Sequence, residues 1–292
     1  MTPRPGRRPS PPLVTDSGAD RRPPLAGPPP PGTPTPAVVR RLVAAGATAT
    51  PVWRNERGGL TYRVQETAPA GTGTTGFLKW APHGSGLDLA AEAARLAWAR
   101  PHAAVPEVLA RGEDADGTWL RTAALTGTSA VDARWRRDPA RAAAGVGAGL
   151  RALHDALPVA GCPFTWSLED RVAAARARLA AGDGPAAWAP EHAALGPAEV
   201  LARLADPPPV DPVVCQGDAC TPNALLGDDG AATGHVDLGR LGVADRWADL
   251  AVAAWSFTWN HGPGYEHLVV AAYGVTPDPR RNAFYRLLWD VS

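Results

Sequence analysis

The sequence predicts an α+β chain of two lobes, a small antiparallel sheet carrying one helix and then a larger, mostly helical lobe. Three observations predict it. Strand-like runs broken by turn residues crowd the segment 37–124, Ala-, Leu- and Arg-rich helical spacing dominates 125–292, and 292 residues at 45% hydrophobic supply a sizeable core.

Residues 1–36 hold 13 of the 32 prolines and almost no large apolar side chain, so they read as a disordered extension. VWRNERGGLTYRVQE then gives two strands around the Gly58-Gly59 turn, and FLKWA gives a third. The intervening GTGTTG matches G-x-G-x-x-G in letters, but it opens into a strand rather than a helix and is read as a hairpin loop. The stretch 85–98 starts Ser-x-x-Asp and sets Leu89, Glu92 and Leu96 on one helix face. VPEVLARGEDADGTWLRTAAL adds two strands around an Asp-Ala-Asp-Gly turn. Beyond Thr126-Gly127, helices are expected over 139–157, 168–181 and 197–204, with GVGAGL inside the first as a close-packing surface.

Charge and cysteine use exclude several classes. Basic and acidic residues balance at 29 each, which argues against a nucleic-acid partner. No apolar run of about 18 residues exists, so neither a membrane span nor a secretory signal is expected and a cytoplasmic setting follows. Three cysteines, Cys162, Cys215 and Cys220, make no disulfide framework. The seven histidines lack H-E-x-x-H spacing, which disfavours a metal hydrolase. Of the 29 basic residues only Lys79 is lysine, so it marks a site where a compact ammonium does what a planar guanidinium does not. The same count rules out a Walker-type loop.

Residues 212–253 carry the chemistry. An apolar strand, Val213 to Cys215, leads into Gly217-Asp218, Asn223 follows with four residues between, and a hairpin delivers Asp237-Leu238-Gly239. One Asp to orient a hydroxyl, then an Asn and a second Asp to hold magnesium, is the order of kinase-type phosphoryl transfer. Glu92, on the apolar face of its helix, needs a cation, and Lys79 is the candidate.

The chain resembles the aminoglycoside phosphotransferases, most of all the 3'-phosphotransferases of actinomycete type. QGDACTPN is similar to that family's H-G-D-x-C-x-P-N, and DLGRLGVADRWADLA, NERGGLTYRV, FLKW, AEAARLAW and ALHDALPVAGCPF follow its other motifs, from about Val52 to the C-terminus. The resemblance implies a bilobal protein-kinase-like fold and transfer of the ATP γ-phosphate to the 3'-hydroxyl of a kanamycin- or neomycin-type antibiotic, hence resistance. It implies that Lys79 contacts the nucleotide phosphates with Glu92 holding it, that Gly58 and Gly59 belong to the phosphate-covering loop, and that Ala123 and Ala124 meet adenine. It makes Asp218 the catalytic aspartate, Asn223 and Asp237 the Mg2+ ligands, and Glu191, Arg240 and Asp290, with Asp218, the acceptor-binding set. A monomer or weak dimer is expected. Asp249 reads as a buried carboxylate under the catalytic loop, and His154 as a helix-end residue.

Four positions depart from the pattern. Gln216 replaces the histidine before Gly-Asp, Arg57 stands for a serine, Ala123 for a hinge glutamate, and LLWDVS replaces an acidic tail. A glutamine amide is expected to keep the loop's hydrogen bonds, with reduced activity. These departures keep two alternatives open, a kinase for another hydroxylated small molecule and a nucleotide-binding pseudokinase.

Overall fold

The structure, a computed structural model, describes residues 27–43, 46–66, 75–184 and 188–292. Its first lobe opens with a short helix, α1 (Ala37–Leu42), then β1 (Thr48–Arg54), β2 (Leu60–Gln65), β3 (Thr75–Pro82), helix α2 (Leu89–Ala99), β4 (Val108–Glu113) and β5 (Gly117–Ala123). The strands form one antiparallel sheet in the order β1-β2-β3-β5-β4. Leu60, Tyr62 and Val64 of β2 are buried while Arg63 and Gln65 face outward, the period of two of a sheet covered on one side. Leu78 of β3 lies opposite Tyr62, and Val38 and Val39 of α1 close that face. This helix adds to the single one expected in the lobe. The other face receives α2, whose Leu89, Ala93 and Leu96 join Ala81 and Leu120 in the core. Because Leu78 points to α1, its neighbour Lys79 points toward α2.

Three sequence expectations fare differently here. The N-cap of α2 is Asp88, whose carboxylate accepts from Ala91 N at 2.8 Å, while the Ser85 hydroxyl accepts only from Leu87 N at 3.3 Å. Of GTGTTG, residues 71–74 lie outside the described residues and Thr75 and Gly76 already belong to β3. Residues 27–36, the end of the Pro-rich extension, run beside the sheet: Gly27 and Arg54 exchange backbone hydrogen bonds of 3.0 and 2.8 Å, and the rest of the extension lies outside the described residues.

The second lobe contains β6 (Thr128–Ser129), α3 (Ala133–Arg136), α4 (Pro139–Ala156), α5 (Leu168–Ala180), α6 (Pro197–Leu204), β7 (Pro212–Cys215), β8 (Ala224–Leu226), β9 (Ala232–His235), β10 (Gly242–Asp245), α7 (Arg246–His261), α8 (Glu266–Tyr273) and α9 (Pro279–Val291). Helix α4 packs on α8 and on the β6-β8-β9 sheet through its glycines. A Cβ on Gly147 would stand 2.2 Å from the Val269 carbonyl oxygen, and one on Gly145 2.2 Å from that of Gly230, so GVGAGL is a packing surface as the sequence suggests. Among the described residues no helix is long and apolar enough to cross a membrane.

The antiparallel pair β7–β10 and the hairpin β8–β9 deliver two loops to the edge facing the first lobe. Arg95 of α2 ties the lobes together, donating to the Leu241 carbonyl at 2.9 Å while its guanidinium lies 4.8 Å from the Phe164 ring.

Candidate active site

Three residues distant in sequence meet between the lobes. Lys79 Nζ lies 2.6 Å from Glu92 Oε1 and 2.9 Å from Asp237 Oδ1, so one ammonium links β3, α2 and the loop after β9. Glu92 is buried, whereas the Asp237 side chain is about half exposed toward the cleft. Burial alone pulls the Lys79 ammonium down, but Asp237 and then Glu92 outweigh it and hold the group above its ordinary value. Burial pushes the Glu92 carboxyl up against the pull of Lys79. The ammonium beside Asp237 lowers that carboxyl.

Asp237 is the only non-glycine residue with positive φ among the described residues, at 62°. Asp tolerates this left-handed region better than branched residues, and the turn aims its carboxylate at Lys79. Gln216 holds the turn from behind. Its Nε2 donates to the carbonyls of Val236 at 2.8 Å and Asp237 at 3.1 Å, and its Oε1 accepts from Asp218 N at 2.6 Å. With no exposed surface, this side chain joins the Asp218 loop to the Asp237 loop, the role expected of a glutamine here.

Asp249 of α7 anchors the same loop from below. It is fully buried and accepts from Gln216 N at 2.5 Å, Gly217 N at 3.0 Å and His154 Nε2 at 3.0 Å. Gly217 has φ of 91°, and a Cβ there would stand 2.3 Å from the Arg240 carbonyl oxygen, so only glycine fits. His154 also bonds the Tyr273 hydroxyl at 2.7 Å. The sequence put His154 at a helix end, which is correct, but missed this post beneath the loop, because no local motif signals a contact 95 residues away. Cys215 brings a third potential metal ligand to His154 and Asp249. The hydrogen bonds just given account for the histidine and the carboxylate, and burial keeps the Cys215 thiol protonated by pushing it well up.

Asp218 follows on the loop. Burial first, and then the charge of Asp237, push its carboxyl up, and its Oδ1 is buried with no hydrogen-bond partner among the described residues. Asn223, in a single 3-10 turn, donates Nδ2 to the Asp218 carbonyl at 2.8 Å, which leaves Oδ1 as the acceptor atom of its amide. Arg240 is exposed, and its charge pulls down both Asp218 and Asp237. At the cleft's sheet side, Asn55 Oδ1 accepts from Arg57 N at 3.0 Å and Gly59 N at 2.8 Å, folding the Gly58-Gly59 turn, and Arg57 reaches the Gly86 carbonyl at 3.3 Å. The N–H groups of Ala123 and Ala124 bond the carbonyls of Glu107 and Thr75 and are not free to donate elsewhere.

Glu191 and Asp290 make their own contacts outside this group, both with His192. Glu191 is exposed, 3.7 Å from His192 Nε2. Asp290 is not an open acid: its Oδ2 accepts from Ala189 N at 2.7 Å and lies 2.8 Å from His192 Nδ1. Beside them stands an aromatic cluster that sequence reasoning missed. Trp255 and Trp259, one turn apart on α7, have ring centroids 4.6 Å apart, and Trp289 lies 5.9 and 5.4 Å from them. Ser256, next to Trp255, accepts from Thr221 N at 2.9 Å, which connects this face to the catalytic loop. The i, i+4 spacing of the two tryptophans was the available signal.

Comparison with known proteins gives a consistent answer. The Phosphotransferase enzyme family matches residues 41–285. An aminoglycoside 3'-phosphotransferase of Streptomyces fradiae is 39% identical over 227 residues, 71% of this chain and 81% of that protein. A streptomycin 3''-kinase of Streptomyces griseus is 35% identical over 265 residues, 85% of this chain and 94% of its own. A solved aminoglycoside phosphotransferase of the 3'' type from Streptomyces rimosus, in complex with ADP and streptomycin, superposes with a TM-score of 0.67 at 29% identity, covering 87% of this chain and 96% of that one.

Proposed function

Because the chain belongs to the phosphotransferase enzyme family, we propose that it moves the γ-phosphoryl group of ATP to the 3'-hydroxyl of a kanamycin- or neomycin-type aminoglycoside. The observation that carries the reading is Lys79 Nζ, 2.6 Å from Glu92 and 2.9 Å from Asp237 at the junction of the lobes. An ammonium so placed meets the nucleotide's phosphates, and Glu92 keeps it in place. The Asp218 carboxylate receives the acceptor hydroxyl's hydrogen bond and takes its proton as the oxygen attacks the γ-phosphorus. The bond from that phosphorus to the β,γ-bridging oxygen breaks, and ADP departs.

The donor set at the Asp237 loop suits Mg2+, since the amide oxygen of Asn223 and the Asp237 oxygen not bonded to Lys79 are both hard ligands. Those two residues would hold the ion, which supplies charge neutralisation to the β- and γ-phosphates. ATP as donor implies a cytoplasmic setting. Gln216 argues against a pseudokinase, because its three hydrogen bonds preserve the joint between the two catalytic loops.

A second reading of the acceptor is favoured by the tryptophan cluster. With Asp290 engaged by His192 and Trp259 47% exposed, the face offers more aromatic surface than open carboxylate. Planar guanidinium groups stack on such rings, so a streptomycin-type acceptor competes with a kanamycin-type one. Following ADP release with Mg·ATP and each drug tests both readings. Kanamycin stimulation supports the first, stimulation by streptomycin alone supports the second, and a flat response to every aminoglycoside overturns both. Asp218→Asn should abolish turnover while nucleotide binding persists.

A further inference from the structure

Arg171, in the first turn of α5, is 5% exposed, and none of its three guanidinium nitrogens has a hydrogen-bond partner among the described residues. It stacks on Trp166 with the guanidinium carbon 3.9 Å from the ring centroid. Burial lowers its pKa to about 10, so it stays charged at neutral pH. A cation face on an aromatic ring recovers part of the lost hydration but leaves five N–H donors unpaired.

A cavity of about 270 Å³ adjoins this side chain, lined by Trp166, Arg171, Val243, Asp245, Tyr285 and Leu288 among others. The Tyr285 hydroxyl is likewise buried and unpartnered, and burial pushes its phenol up, so it remains an O–H donor. Asp245 is the one carboxylate among the lining residues. It is already held by Arg281 Nη1 at 2.8 Å, Asp211 N at 2.7 Å and Trp247 N at 2.8 Å. The remaining walls are mostly apolar, and Val210 at the rim is 54% exposed.

We propose that this cavity, behind β10 and apart from the catalytic cleft, binds a small monocarboxylate with an apolar body, its two oxygens bonded by Arg171 and Tyr285. The charge count selects the ligand class. One guanidinium balances one carboxylate, whereas a phosphate dianion would bring an unbalanced charge against apolar walls and Asp245. The volume falls just below the range of about 300–1,000 Å³ typical of drug-sized sites, so an aromatic acid of benzoate size fits the class.

The test is calorimetric titration of the full-length protein with benzoate, with its uncharged counterpart benzamide and with inorganic phosphate. Benzoate should bind once per chain, unaffected by ADP, and at least tenfold more tightly than either control. Arg171→Met should abolish that binding, and Tyr285→Phe should weaken it several-fold. A crystal soaked in 4-iodobenzoate should show the carboxylate at Arg171. Equal affinity for benzamide or phosphate, binding retained in Arg171→Met, displacement by ADP, or no binding at all would each overturn the proposal. Should Arg171→Met fail to fold, the three-ligand comparison, Tyr285→Phe and the iodine position decide the matter.

Discussion

Replacing Gln216 by leucine keeps the side chain's volume and removes its amide. Three hydrogen bonds go with it: to the Val236 and Asp237 carbonyls at 2.8 and 3.1 Å, and from Asp218 N at 2.6 Å. At about 1 kcal/mol net for each bond the variant loses roughly 3 kcal/mol, and the buried groups left without partners make this a lower bound. At about 2–4 °C per kcal/mol, its melting temperature should fall by roughly 6–12 °C. The same bonds set the positions of Asp218 and Asp237, so the turnover number should drop between about tenfold and 100-fold, each 1.4 kcal/mol being a factor of ten. A coupled assay of ADP release at saturating ATP and drug, beside thermal unfolding, measures both. Wild-type turnover in a leucine variant that has lost the stability would refute the argument, since the amide would then support the fold but not the geometry. Gln216→His should hold or raise the rate.

Other consequences follow from the same geometry. Asp218 must be ionised to accept a proton, and burial and Asp237 raise its pKa, so kcat/KM should fall with decreasing pH at a value above the ordinary aspartate range; an acid limb at that ordinary range would refute the base assignment. Trp259→Ala should raise the acceptor KM several-fold and leave the KM for ATP unchanged, and equal changes in both would remove the tryptophan face from the acceptor site. Chelating divalent cations should weaken ADP binding, read by calorimetry, at least tenfold, and Asp237→Asn should lose that dependence; metal-independent binding would reject the ligand assignment.

Local pattern made most of the fold legible. Strand alternation, the Gly58-Gly59 turn and helix periodicity act over a few residues, and α6 falls exactly where its Pro197 start and last leucine place it. Lys79 was legible for a chemical reason: in a chain whose other cations are all arginine, the exception marks a place with room for a point charge. The geometry agrees, since Nζ fits between two carboxylates. Helix α1 was hidden by its shortness, six residues held by packing of Val38 and Val39 rather than by periodicity. Asp290 illustrates the opposite limit. A motif can place an acid at a position, but whether its oxygens are free depends on His192 and Ala189, about 100 residues away. Arg171 and Tyr285 share a cavity that no sequence spacing relates.

The charge balance of the cleft explains why the loops are held so firmly. Lys79 contributes one positive charge and the exposed Arg240 a second, while Glu92, Asp218 and Asp237 contribute three negative ones when ionised. A triphosphate entering this group brings further negative charge, so the unliganded arrangement cannot be selected for stability alone. Lys79 joins Glu92 to Asp237 only until phosphates compete for its donors, and Asp237 then depends on other support to keep its left-handed backbone. Gln216 supplies that support through the Asp237 carbonyl, and Asp249 supplies it to Gln216 through the backbone. Both anchors are buried: Gln216 donates through a neutral amide and Asp249 accepts from backbone N–H groups, so neither depends on a donor that the phosphates would claim. The ion pairs can therefore be exchanged during a turnover while the hydrogen-bonded frame beneath them stays fixed, and this division of labour makes Gln216 and Asp249 more sensitive to substitution than their distance from the phosphates suggests.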